Sequence, residues 1–219
     1  MNILYFDIET LPGPERPTLE EVEALAPRNM KKPETIRAWA EENQEAQWRK
    51  QALDSMAGKI LAIGYALNDA EPEVLIQGRD GIECERDLLA RFQDNLVGMG
   101  TNPDFCGHNI KTFDLPWIWR KAVQHRLNPL CNMIPRARYD PRIKDTMELW
   151  AADFKDHVSL DAIARFLGLE GKTERMDVSQ VLDLYEAGEL DRIAEYCGQD
   201  VRVVRSVYLT LVGEFEGAI

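Results

Sequence analysis

The sequence predicts an α/β domain with a mixed central sheet flanked by helices, and three observations carry that prediction. An apolar, β-prone opening stretch, Asn2 to Thr10, runs into Leu11-Pro12-Gly13-Pro14, the pattern of a buried strand ending in a turn. Two further strand patterns, Lys59–Leu67 and Glu73–Gln77, flank the turn-like Asn68-Asp69-Ala70 and so read as an antiparallel hairpin. Beyond them, helical periodicity alternates with another short strand, Asp104–Gly107. That alternation is what layers helices on a sheet.

The remaining elements each have a local reason. Residues 15–57 are polar and helix-prone, broken early by Pro17, Pro27 and Pro33, and read as an insertion that is helical from about Glu34 to Met56. Leu88, Leu89, Phe92 and Leu96 share one face of a helix over about Cys84 to Val97. A helix over Asp114 to His125 tolerates Pro116 because it falls in the first turn. Arg138 to Ile143 reads as irregular or as a short strand. Ser159 caps an amphipathic helix that Gly168 stops, a second helix runs from Ser179 to Ala187, and a last one from about Glu189 to Leu211. Nothing divides the chain. The expectation is one domain over residues 1–219 with a partly helical insertion at about 15–57.

Composition excludes several classes. The 219 residues carry 26 Lys and Arg against 38 Asp and Glu, a net charge of −12, yet 45% are hydrophobic, too many for a disordered chain. The apolar stretch Ile60 to Leu67 is far short of the roughly 20 residues of a membrane span, and no basic, apolar leader precedes Asp7. Cys84, Cys106, Cys131 and Cys197 are scattered, with no C-x-x-C, which fits a reducing, cytoplasmic setting and supports no zinc site. The acidity argues against a protein that coats DNA by charge alone.

The chemistry concentrates in carboxylates. Asp7 and Glu9 sit two apart at the end of the first strand, so alternation turns both to one face, where two acids repel unless a cation offsets them. Gly107-His108-Asn109 leads through Phe113 to Asp114, which opens a helix and can cap it; Asn109 can form the loop or contact a substrate. Tyr196 and Asp200, at i and i+4, project from one helix face, beside an apolar face marked by Ile193, Val203, Val204 and Val207.

Taken together, Asp7-Ile8-Glu9-Thr10, Asn109-x-x-x-Phe113-Asp114 and Tyr196-x-x-x-Asp200 resemble, in order and spacing, the three motifs of the DEDD 3′–5′ exonucleases, in the subgroup with a tyrosine in the last motif. These belong to the RNase H-like (DnaQ-like) superfamily. The subgroup with a histidine five residues before the last Asp does not fit, since that residue is Glu195. The stretch from Met176 to Val201 is similar to predicted exonucleases related to the proofreading domain of family B DNA polymerases, with Val178 where a Gly is expected.

The resemblance implies that Asp7, Glu9, Asp114 and Asp200 hold two divalent cations, Mg²⁺ or Mn²⁺, and that Tyr196 orients the attacking water. It implies a nucleic-acid 3′ end as substrate, with single-stranded DNA favoured; the alternatives are a 3′–5′ exoribonuclease and an inactive RNase H-like module that binds nucleic acid or a protein. It also places Thr10, Leu11, His108, Asn109 and Phe113 near the terminal nucleotide. The charge is uneven: 7 basic against 11 acidic in residues 1–57, 12 against 12 in 58–146, and 7 against 15 in 147–219. Arg136 and Arg138, in the basic cluster of the middle third, are candidate phosphate contacts, with Tyr139, Phe113 or Trp117 as stacking surfaces. Asp145 reads as a helix cap first and a supporting acid second.

Overall fold

Residues 2–137, 139–152, 156–171 and 178–213 are described by a computed structural model. In chain order the elements are β1 (Ile3–Leu11), α1 (Leu19–Glu23), α2 (Pro33–Lys50), β2 (Lys59–Leu67), β3 (Glu73–Ile76), α3 (Glu85–Gly98) and β4 (Asp104–Gly107). There follow α4 (Asp114–Gln124), α5 (Asn128–Met133), β5 (Ile143–Asp145), α6 (Thr146–Ala151), α7 (Leu160–Phe166), α8 (Val178–Glu186) and α9 (Leu190–Leu211). The chain divides into two compact units, residues 1–9 with 60–219, and residues 10–59.

The first unit is built on a five-stranded sheet in the order β3-β2-β1-β4-β5. β2 and β3 pair antiparallel, as the hairpin pattern predicts, while β1–β4 and β4–β5 pair parallel. Alternation along the central strand sorts its side chains between two cores. Leu4, Phe6 and Ile8 enter one core with Phe92, Phe105 and Trp117, drawn from α3, β4 and α4. Tyr5 enters the other with Cys106, Ile163, Val201, Val204 and Val207, from β4, α7 and α9. Asp7 and Glu9 follow Tyr5 in this alternation, so the strand that fills both cores ends in two acids on the α9 side.

The middle of α9 is nearly encircled by protein, with buried residues from Ile193 to Tyr208. Gly64 of β2 explains how close it comes. A Cβ there would lie 2.8 Å from Cys197 Sγ and 3.1 Å from Val201 Cγ2, so only a hydrogen fits between strand and helix. Close approach of this kind needs glycine.

In the second unit, Thr18 and Glu21 form a capping box on α1, with the Thr18 amide donating to Glu21 Oε2 at 2.7 Å. Pro33 starts α2. Trp48 of that helix is buried and its indole N–H donates to the Gly13 carbonyl at 2.8 Å, while Arg16 lies 4.6 Å over its ring.

Candidate active site

Three elements deliver the carboxylates. β1 supplies Asp7, half-buried, and Glu9, buried; α4 supplies Asp114 in its first turn; α9 supplies Asp200 one turn after Tyr196. Asp114, Tyr196 and Asp200 are all buried. Single ligand atoms of Asp7, Glu9 and Cys197 lie within 4.8 Å of one another.

Asp114 is not the cap of its helix. Phe113 occupies the N-cap position, and the Asp114 carboxylate turns to the central strand, where Oδ1 accepts the Ile8 amide at 3.1 Å. The third acid is thus tied to the backbone between the first two. Burial pushes its carboxyl up to about 7, aided by the charges of Asp145 and Asp200 and opposed by its amide hydrogen bonds, its own and that from Ile8. Burial likewise pushes the Cys197 thiol well above its usual range, reinforced by Asp7, Glu9 and Asp200. Asp200 acts electrostatically on both Asp114 and Cys197, and Asp7 and Glu9 act on Cys197. The thiol, which donates weakly to the Asp7 carbonyl at 3.8 Å, stays protonated and leaves the oxygens as donors.

The loop before Asp114 is organised by a residue that sequence patterns rank as a cap. Asp145 does cap α6, accepting the Met147 amide at 3.0 Å, but it also accepts the Asn109 amide at 2.9 Å and the Lys111 amide at 3.1 Å. One buried carboxylate therefore pins the start of α6 and the loop into α4 at the end of β5. Asn109 adopts the left-handed conformation, φ 62°, and its side-chain oxygen accepts the Thr112 hydroxyl, so it is a loop-forming residue. His108 meets the Thr146 hydroxyl at 2.9 Å and the Val158 carbonyl at 3.0 Å through its two ring nitrogens. Only contacts between distant segments reveal the Asp145 arrangement.

The other sequence candidates are dispersed. Thr10 and Leu11 are buried in the second unit, and the Thr10 hydroxyl donates to the Ala52 carbonyl at 2.6 Å. Phe113 is half-buried against Trp117, their ring centroids 5.7 Å apart. Trp117 is itself only 2% exposed, so it serves the core and offers no face to a base. Tyr139 is 83% exposed, with Lys111 Nζ 5.8 Å above its ring. Arg136 lies at the surface over Trp119, and Arg138 falls outside the described residues. No helix among the described residues is long and apolar enough to cross a membrane.

A five-stranded mixed sheet in this order, flanked by helices and with a long C-terminal helix laid on it, is a fold of the RNase H-like type. Residues 51–218 match the model of a family described as predicted 3′–5′ exonucleases related to the exonuclease domain of PolB, and the chain belongs to that family. Asp114, Tyr196 and Asp200 lie inside the match; Asp7 and Glu9 precede it and are joined to the rest by the fold. The structure is similar to that of the family B DNA polymerase from the hyperthermophilic archaeon Pyrobaculum calidifontis, with a TM-score of 0.57 and 17% identity. That similarity covers 97% of this chain and 24% of the polymerase, so the chain spans about a quarter of the larger protein. No curated protein matches the sequence.

Proposed function

We propose that the chain is a metal-dependent exonuclease of the DEDD type, tyrosine subgroup, that removes nucleotides from the 3′ end of DNA, single-stranded or frayed. The observation that carries this reading is how three separate elements relate the acids: Asp7 and Glu9 of β1 lie beside Cys197 of α9, Asp114 of α4 is hydrogen-bonded to the backbone between Asp7 and Glu9, and Asp200 acts on both Asp114 and Cys197. Burial above all, with the charges of Asp145 and Asp200, raises the Asp114 carboxyl, a cost that a bound cation would offset.

The donor set fits two Mg²⁺ or Mn²⁺ ions: hard carboxylate oxygens, a neutral thiol, and no histidine in the cluster. Asp7, Glu9, Asp114 and Asp200 would hold them. Bound there, the ions supply an acidified water and charge stabilisation for the departing 3′ oxygen. The chain's own residues do the positioning. Ile8 fixes Asp114 through its amide, Cys197 and Gly64 set α9 against β2, and Tyr196, one helical turn before Asp200, would orient the water.

We read residues 15–57 as an insertion in one domain, since they lie between β1, which ends at Leu11, and β2, which starts at Lys59. Four cysteines outside any disulfide fit work in the reducing cytoplasm.

The test is degradation of 3′-end-mapped single-stranded DNA, mismatched duplex and RNA, each with Mg²⁺, Mn²⁺ or chelator. Stepwise loss of 3′ nucleotides that requires metal is expected, fastest on single-stranded DNA. Hydrolysis that persists in chelator would sink the mechanism. Tyr196→Phe should slow cleavage by about tenfold to a hundredfold, less than loss of an acid.

A further inference from the structure

A cleft of about 660 Å³ is walled by α4, α6 and the segment between α5 and β5. It has its own chemistry. Lys111, Arg120 and Arg136 line it, with Trp119, Leu115 and Pro116 as an apolar wall. Among the described residues Glu148 is the carboxylate of the lining, and Lys111 engages it at 2.6 Å. Among those residues the lining holds three basic side chains and one acidic, on a chain of net charge −12. Trp119 is half-buried, so its ring is anchored yet reachable, and the Arg136 guanidinium lies 5.0 Å from its centre. Exposed Tyr139 stands beside Lys111. Leu115 of the lining directly follows Asp114 in α4, so one helix carries both a wall of the cleft and one of the four acids.

We propose that this cleft holds one or two nucleotides of single-stranded nucleic acid, with a base stacked on Trp119 or on the Arg136 plane and phosphates met by Lys111, Arg120 and Arg136. The volume is in the roughly 300–1,000 Å³ range of sites that enclose small ligands. A π face beside cations is the combination that grips an unpaired base and its phosphate together. An acidic peptide would satisfy the cations and leave Trp119 unused. The proposal rests on the exonuclease reading for its substrate class, but it stands on separate residues.

The experiment is fluorescence anisotropy with labelled ten-nucleotide single strands of DNA and RNA, in chelator so that no cleavage occurs. Wild type should bind both strands without cleaving them. Trp119→Ala should weaken binding by roughly fivefold to a hundredfold, Trp119→Phe should keep most of it, and Arg136→Ala should lower the slope of affinity against salt by about one. Binding of either strand supports the site, and the tighter one reports whether a 2′-hydroxyl is favoured. Unchanged binding in both Trp119→Ala and Arg136→Ala would overturn it. So would a poly-glutamate peptide binding as tightly as the strands, or no wild-type binding up to about 100 µM at low salt. Failure of the exonuclease reading looks different: Asp7→Ala would retain hydrolysis while the cleft variants still bound weakly.

Discussion

Asp7→Ala should reduce 3′ nucleotide release by at least about a thousandfold while leaving the fold intact. Asp7 is half-buried on the central strand, within reach of Glu9 and Cys197, and its charge acts on the helix that carries Asp200. In the proposed mechanism it would be one of the four carboxylates that hold the ions, and without it most of the several kcal/mol that metal coordination would take off the barrier is lost. Removing a charge from a crowded acidic cluster does not destabilise the protein, because it relieves repulsion. The check is a single-turnover rate on single-stranded DNA in Mn²⁺, beside a denaturation curve. A variant that keeps more than about a tenth of the wild-type rate, with a wild-type fold, would remove Asp7 from the machinery. Asp200→Ala should match it.

The second large effect is on stability. In the metal-free protein the Asp114 carboxyl titrates at about 7, against 3.8 for the ordinary group. The folded state therefore holds a proton that the unfolded state gives up first. Below about pH 4 both forms are protonated and nothing is lost. As pH rises toward 7 the unfolded chain binds fewer protons than the native one, so stability falls through that window and levels off above it. The three-unit gap corresponds to a decline on the order of 3–4 kcal/mol. Denaturant midpoints in chelator at pH 5 and pH 8 measure it, and the difference between wild type and Asp114→Asn isolates this one group. The asparagine variant should lose most of the decline. Saturating Mn²⁺ should restore wild-type stability at pH 8 far more than at pH 5, because the ion binds the ionised carboxylate. An identical pH slope in the two proteins would refute the assignment.

Much of this was legible beforehand because the informative residues act locally. Lys59–Leu67 and Asp104–Gly107 are apolar runs between turn residues, and both are strands with those bounds. The acids are legible through periodicity, two apart on a strand and one turn from a tyrosine on a helix. What escaped were pieces too short to have a period. α5 and α6 are six residues each, and α1 is five, although Thr18-x-x-Glu21 announces its start. β5 falls at Ile143–Asp145 rather than over the preceding stretch, because a three-residue edge strand shows no alternation. Trp117 and Trp119 were indistinguishable in sequence. They stand about 200° apart around one helix, and only packing decides which is core and which faces the cleft. The triple role of Asp145 joins segments more than 30 residues apart, which no local pattern encodes.

The missing side chain at Gly64 has one more consequence. Because α9 lies directly on β2 at that point, Cys197 is sealed against the sheet, and its thiol is held protonated by burial and by the neighbouring acids. Cys84 is exposed and Cys131 half-buried, so an alkylating reagent reaches them in the native protein. Cys197 becomes reactive only when the helix lifts and the site comes apart. Its labelling rate, read by peptide mass mapping apart from that of buried Cys106, is a built-in clock for the opening of the carboxylate cluster. Metal ions that bridge strand and helix should slow that clock.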